Sequence, residues 1–342
     1  MIMKLRQCLL SLFIIFAVFA AAGCSGSPVS KPVPEKPSTE KVIIKVAHTT
    51  STDYPYHIGL QEMAKSLSAK TAGQAELQIF PSGQLGGNEL ELVKMMQLGD
   101  ISMTVVNGAI LSEFSPKAEV FNLPFIFRDY NHLYKVLDGE PGRIISADLE
   151  KKNLKVLTWY VNPERYIFTT KKPVSSLPDL KGLKIRVTQN PVASATFSSL
   201  GAVPTPMSYG ELYPALQQGV IDGGENDWFG IRGMKFYEVA PQIALTGHFM
   251  VACPLLISLQ WYNILTPELQ KALQESANDG TTAMRRYMEQ NLAQARQDLE
   301  SKNIKITKIK DIEAWHKAVE PVYAKFETQI GKDLIDMVKN IQ

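Results

Sequence analysis

The sequence predicts an α/β fold of two lobes, each a mostly parallel sheet with flanking helices, and a long helix spanning both. Three observations carry this. Segments with the two-residue apolar period of strands alternate with segments of helical period, the order that builds parallel sheets covered by helices. The chain has 342 residues, room for two lobes on a prior of about 150 residues per domain. Finally, Met95-Met-Gln-Leu-Gly-Asp-Ile-Ser102 and Ala215-Leu-Gln-Gln-Gly-Val-Ile-Asp222 both read as helix, glycine, short apolar strand. The first leads to Asn107 and the second to Asn226, which favours two similar lobes facing each other.

The first residues stand outside that fold. Lys4 and Arg6 precede an apolar run from Leu9 to Ala22 that closes on Ala21-Ala-Gly-Cys24. A basic start, a short apolar core and a small-residue box form a secretory signal over residues 1–23. The run is shorter than the roughly 20 residues a spanning helix needs. The box resembles a bacterial lipobox, with Cys24 the lipid-bearing residue. Residues 24–41, rich in Pro, Ser and Lys, have little to bury and read as a flexible tether. The expected product is an exported protein anchored to a membrane rather than spanning it.

Lobe I is expected over residues 42–163 with about 252–291 added, and lobe II over 164–251 with about 292–342. Val42 to Ala47 is a short apolar strand ending at His48, and a helix follows through Leu60, Met63 and Leu67. Ala75 to Phe80 is a second strand, Pro81 to Gly87 a loop, and a helix from Asn88 stops at Gly99. Ile101 to Val106 is a strand from whose end Asn107 leaves. Lys155 to Tyr160 is a strand, Asn162-Pro-Glu-Arg165 a crossing between lobes, and Tyr166 to Thr170 a strand that resumes beyond it. In Leu183 to Thr188, Arg186 lies on the face opposite Ile185. Ser208 and Glu211 make a capping box for a helix that presents Tyr209, Leu212, Tyr213 and Leu216 on one face. Val220 and Ile221 then begin a short strand, and Asp222-Gly-Gly-Glu-Asn-Asp-Trp228 leaves its end as a loop. Thr266-Pro-Glu opens the long helix, whose apolar positions suit packing across both lobes. Ile304 to Ile309 is a strand, and the chain is helical from Ile312 onward.

Composition excludes several functions. The whole chain holds 36 basic and 34 acidic side chains; loss of Lys4 and Arg6 with the leader balances them, so nothing indicates a nucleic-acid partner. Cys8 leaves with the leader, Cys24 is the anchor, and Cys253 alone reads as core rather than disulfide or nucleophile. No G-x-S-x-G, H-E-x-x-H, Walker loop or G-x-G-x-x-G occurs, and no Cys/His group has metal spacing. Neither a cofactor nor a metal is expected. Two arginines near strand ends, Arg165 and Arg186, present planar donor forks that match a carboxylate in two parallel bonds. Asn107, Glu225 and Asn226 could read hydroxyls. Tyr209 and Trp228 could wall a site or belong to the core.

These residues sit within a larger set of motifs. Gly182-Leu-Lys-Ile-Arg-Val187, Leu200 to Met207, Glu211 to Gly223 and Glu225-Asn226 resemble the substrate-binding proteins of tripartite ATP-independent periplasmic (TRAP) transporters, of the DctP type. Phe80-Pro-Ser-Gly-Gln-Leu-Gly86, Phe121-Asn-Leu-Pro-Phe125 and Lys235-Phe-Tyr-Glu-Val239 agree with it. The resemblance runs from Val42 to the C-terminus and implies a two-lobed periplasmic-binding-protein-like fold without enzymatic activity. It implies that Arg186 binds the ligand carboxylate, reinforced by Arg165, with Asn226, Asn107, His48 and Tyr209 at the site. Glu225, Asp227 and Trp228 join them as candidates. Where sialic acid binders of the family are acidic, this chain has Gly87 and Asn107. After Glu225-Asn226 it has Asp227-Trp228 where many members have Pro. Tyr54-Pro-Tyr-His57 and that loop look more like members that take sugar acids such as uronates. The expected partners are a small carboxylate ligand and the large and small membrane subunits, with the receptor a monomer. A C4-dicarboxylate or keto acid ligand, an exported enzyme using His48 or Glu225 as base, and a sensing module are the alternatives.

Overall fold

The computed structural model describes residues 41–342. The secretory signal, Cys24 and the tether up to residue 40 lie outside the described residues. Eleven strands form two sheets. They are β1 Val42–Ala47, β2 Ala75–Phe80, β3 Met103–Val105, β4 Leu154–Asn162, β5 Tyr166–Thr169, β6 Lys184–Val187, β7 Val203–Pro206, β8 Gly223–Asn226, β9 Gln242–Leu245, β10 Val251–Ser258 and β11 Lys305–Lys308. The lobe I sheet has the order β2-β1-β3-β10-β4 and the lobe II sheet the order β11-β9-β5-β8-β6-β7.

Pairing within the sheets is mixed. β1 runs parallel to β2 and β3, β6 parallel to β7 and β8, and β11 parallel to β9. β10 is antiparallel to β3 and β4, and β5 is antiparallel to β8 and β9. The two reversed strands are those that follow directly on a passage between lobes, β5 after 163–165 and β10 after 246–250. Such a strand enters its sheet from the cleft end, so its direction is set by the crossing and not by a covering helix.

One expected loop is a strand. Asp222-Gly-Gly reads as a turn, yet Gly223–Asn226 is β8, buried throughout. A side chain at Gly223 would sit 2.3 Å from the Phe168 carbonyl oxygen, and one at Gly224 would strike the Phe168 ring. The glycines serve close strand approach. Neither β7 nor β9 was legible in the sequence: Val203–Pro206 carries two prolines and suits only a sheet edge, where β7 lies.

The helix Pro267–Glu300 opens at Thr266, whose hydroxyl accepts from Leu269 N at 3.3 Å. Leu273, Met284 and Met288 are fully buried. It packs along the helix Pro55–Lys70 of lobe I and reaches the helix Trp228–Gly233 of lobe II. Arg232 there donates to Asp298 at 2.7 Å and to Asp53 at 2.8 Å. The last helices, Ile312–Ile330 and Lys332–Asn340, touch both lobes: the first packs on the helix Pro191–Ser199 of lobe II and on Pro116–Asn122 of lobe I. Tyr323 donates to Pro124 O at 2.7 Å, and His132 Nε2 lies 2.8 Å from Val338 O. Both anchors belong to lobe I, so the C-terminus returns across the molecule. Among the described residues no helix is long and apolar enough to cross a membrane.

Candidate functional site

The cleft between the lobes holds a partly open pocket whose empty space, some of it continuous with solvent, is about 360 Å³. Lobe I supplies Thr49 and Thr50 beyond β1, Tyr54 and Tyr56 at the start of the first helix, Glu89 at the start of the second, Asn107 beyond β3 and Asn162 at the end of β4. Arg165 comes from the crossing; Arg186, Thr188, Tyr209 and Asn226 come from lobe II. Most of these lie at or beyond the carboxyl ends of strands, where open α/β sheets place ligands. An adjoining, more apolar space of about 320 Å³ shares Asn107, Arg165 and Thr188 and adds Phe121, Phe249 and Val251.

The two arginines differ in what remains for a ligand. Arg165, 3% exposed, pairs with the Glu225 carboxylate through Nε and Nη2, the latter at 2.8 Å. It also donates to Glu225 O at 2.9 Å and to Asn226 Oδ1 at 3.0 Å. Burial alone would lower its pKa, but Glu225 outweighs burial and holds it more firmly protonated. Burial alone would raise the Glu225 pKa; the Arg165 charge and hydrogen bonds, with the His248 ring 3.6 Å away, instead hold it at about 2. Arg165 is therefore largely neutralised within the protein.

Arg186 is not. It is equally buried at 3%, and its Nε and Nη2 both donate to Met207 O, at 3.1 and 2.8 Å. No carboxylate pairs with it among the described residues, and its Nη1 group has no protein acceptor. Burial lowers its pKa from the ordinary arginine value, the sign of a charge kept from water without full compensation. The Tyr209 ring lies 5.8 Å from its guanidinium carbon, within cation–π range. Strand β6 gives the side chain a rigid base, with Ile185 and Val187 fully buried on the opposite face.

Asn226 is oriented by its neighbours: Oδ1 accepts from Arg165, and Nδ2 donates to Tyr209 Oη at 3.0 Å. Asn107 Oδ1 accepts from Ala109 N at 2.9 Å, and its backbone N–H donates to Glu89 at 3.2 Å. Glu89 also accepts from Thr49 Oγ1 at 3.1 Å. Burial raises its pKa against the pull of those bonds.

Arg186, Arg165, Asn107, Asn226 and Tyr209 thus meet at one cavity. Glu225 borders only the adjoining space and acts through Arg165. Three further candidates do not border the cavity. His48, 1% exposed, stacks behind the threonines, 3.2 Å from His57 Nδ1 and 3.0 Å from Thr50 Oγ1; burial and then His57 push its pKa down to about 3. A neutral imidazole positioning Thr50 is what remains. Asp227 caps the helix Trp228–Gly233 through Gly230 N at 2.9 Å and accepts from Tyr54 Oη at 2.6 Å. Trp228 packs on Tyr166, centroids 4.6 Å apart, as core. Glu89, Thr49, Tyr56, Asn162 and Thr188 border the cavity without having been singled out. Glu89 carried no signal, because an acid in a first helical turn is ordinary capping chemistry.

The chain matches the family Bacterial extracellular solute-binding protein, family 7 (DctP), over residues 46–329. It is 30% identical to the C4-dicarboxylate-binding periplasmic protein DctP of Rhodobacter capsulatus, over 88% of this chain and 91% of that one. Among solved structures it is similar to a TRAP periplasmic solute binding protein from Xanthobacter autotrophicus with bound β-D-galacturonate (33% identity, TM-score 0.83, 87% and 100% of the two chains). It is also similar to the sugar acid binding protein of Advenella mimigardefordensis in complex with galactonate (29% identity, TM-score 0.86, 88% and 98%).

Proposed function

Because this chain belongs to the DctP family, the bacterial extracellular solute-binding proteins of family 7, we propose that it is a TRAP receptor capturing a sugar acid such as a uronate or aldonate. It hands that ligand to membrane components of the transporter. One observation supports the reading: Arg186, buried at the cavity wall, keeps donors with no acceptor and no carboxylate partner among the described residues. A ligand carboxylate would supply the missing counter-charge in a water-poor site, where charged hydrogen bonds are strong.

A sugar acid suits the remaining surface. Tyr54, Tyr56, Asn107, Asn162, Thr188 and Asn226 offer hydroxyls and amides, which exchange hydrogen bonds with ligand hydroxyls. The similar structures holding galacturonate and galactonate support the same class. The Rhodobacter relative is named for C4-dicarboxylates, but here Arg165 is already matched by Glu225, leaving one unmatched guanidinium. An enzyme is the weaker reading: His48 is walled off from the cavity, and Glu225 is held ionised against Arg165. Cys24, outside the described residues, is proposed as the lipid anchor that keeps a monomeric receptor at the membrane surface, with residues up to 41 as its tether.

The test is calorimetric titration with D-galacturonate, D-glucuronate and D-galactonate. Arg186→Ala should weaken the best of them about a hundredfold or more, the scale of removing a buried charge partner. Arg186→Lys, with a point charge in place of the fork, should recover only part of that loss. Undiminished affinity in both variants would overturn the reading.

A further inference from the structure

Glu89 is the one anionic group bordering the cavity that is not paired with an arginine among the described residues. Its two oxygens each accept one protein hydrogen bond, from Thr49 Oγ1 and Asn107 N, at 3.1 and 3.2 Å. An ionised carboxylate has about four acceptor positions, so each oxygen keeps room for one more donor. Both partners belong to lobe I, and together they hold the carboxylate at the cavity wall through a hydroxyl and a backbone amide. No charge is spent in doing so. Among the described residues the cavity therefore has one cation with no ion-pair partner in contact, Arg186 on lobe II, and one such anion, Glu89 on lobe I, whose charges favour each other from a distance. The second arginine is matched by Glu225.

From this juxtaposition we infer that Glu89 is a specificity residue: it accepts a hydroxyl of a monocarboxylic polyol acid and excludes a ligand carrying a second carboxylate. The inference rests on the reading that Arg186 takes the ligand's acid group. A polyol acid anchored there presents hydroxyl donors to the opposite wall, and Glu89 is acceptor-only while ionised. A dicarboxylate of the same length would instead set two anions together in a site with little water. Exclusion by an unpaired like charge is a standard way to separate near-identical ligands. Burial already disfavours the Glu89 charge against the pull of its two hydrogen bonds and of the Arg186 and Arg165 charges, and a second anion beside it would add to that cost.

The experiment compares D-galactonate with galactarate, which differ only by a carboxylate in place of the terminal CH₂OH. D-galacturonate is added as a second monocarboxylate, and each is titrated calorimetrically into wild type, Glu89→Gln and Glu89→Asp. Wild type should bind the better monocarboxylate at least about a hundredfold more tightly than galactarate, the cost of an uncompensated buried charge. Glu89→Gln should lower that ratio about tenfold or more, weakening the monocarboxylate and relieving the repulsion. Glu89→Asp keeps the charge and should keep galactarate out, which separates charge from shape. A wild type that binds galactarate as tightly as the monocarboxylate, or a ratio unchanged in Glu89→Gln, overturns the inference and leaves the role of Arg186 standing. If wild type binds none of the acids, the receptor reading falls and this inference falls with it.

Discussion

At the residue scale, the site is an exercise in which buried charges are matched. Arg165 and Glu225 lie 4% exposed by side chain and close on each other, while Arg186 has no such partner. A matched buried pair is weak evidence for stability, but removing one member leaves the other stranded. Glu225→Gln should therefore cost about 3–5 kcal/mol of stability near neutral pH, read from denaturant melts. The pH dependence follows from the depressed folded value. Glu225 ordinarily titrates at 4.5 and in the fold at about 2, so its contribution is complete above the ordinary value and is lost as pH falls toward the folded one. The wild type's advantage over Glu225→Gln should shrink across that acidic window and hardly change above it. His48 and Asp227 illustrate the opposite case, polar groups buried for support. His48 holds Thr50, and Asp227 holds Tyr54, so two side chains that border the cavity are set by two that do not.

At the element scale, two helices make the long contact on which lobe I rests. Helix Pro55–Lys70 crosses Pro267–Glu300 at Gly59 and Gly280. A Cβ at Gly280 would lie 2.6 Å from the Gly59 carbonyl oxygen and 3.0 Å from Tyr160 Oη. Alanine would favour the helix by about 1 kcal/mol, yet that oxygen is backbone and cannot turn aside. Gly280→Ala should therefore destabilise by about 1–3 kcal/mol, the usual scale of overpacking, and lower the melting temperature. A gain in stability would show that the helices can separate freely. The strands teach a related lesson. Apolar content and bounding turn residues marked Val42–Ala47 and Ala75–Phe80 as strands to the residue. Gly223–Asn226 was hidden, because glycines that let strands approach look like glycines that turn.

At the scale of the whole molecule, the cleft is drawn shut by contacts that join the lobes away from the cavity floor. Gly210 N donates to Gly87 O at 3.3 Å on one rim. On the other, Asn190 Nδ2 donates to Ala109 O at 2.8 Å and to both oxygens of Glu119, at 3.0 and 2.9 Å. Asn190 also caps the helix Pro191–Ser199 through Ala193 N at 2.8 Å. Asn190→Asp preserves the cap, since aspartate caps as well as asparagine, and sets a carboxylate against Glu119. Closure should weaken and ligand affinity fall about tenfold near neutral pH, a typical coupling for one lost interlobe contact. Burial raises the Glu119 pKa, so the repulsion holds above that raised value and fades as pH falls through it. Titrations at about pH 7.5 and about pH 5 should show the variant recovering toward wild type at the lower value; an equal deficit at both would rule out the carboxylate clash.

Much of this protein was decided by local chemistry that a sequence displays openly. Strand periodicity, the Ser208–Glu211 box and the Thr266 cap depend on neighbours within four residues, so strands β1 to β6 and β11, the long helix and the two candidate arginines could be read directly. Family motifs suggested the acid class proposed for the ligand. What only the tertiary structure decided is which charges neutralise each other. Arg165 and Arg186 look equivalent along the chain, yet one meets Glu225, 60 residues away, and the other meets only a carbonyl. Glu89 and Asn107 join across 18 residues, and the final helices are tied back to lobe I by hydrogen bonds between residues far apart in the chain. Electrostatic pairing depends on distance in space, which no local pattern records, and it is that pairing that leaves Arg186 open to an acid.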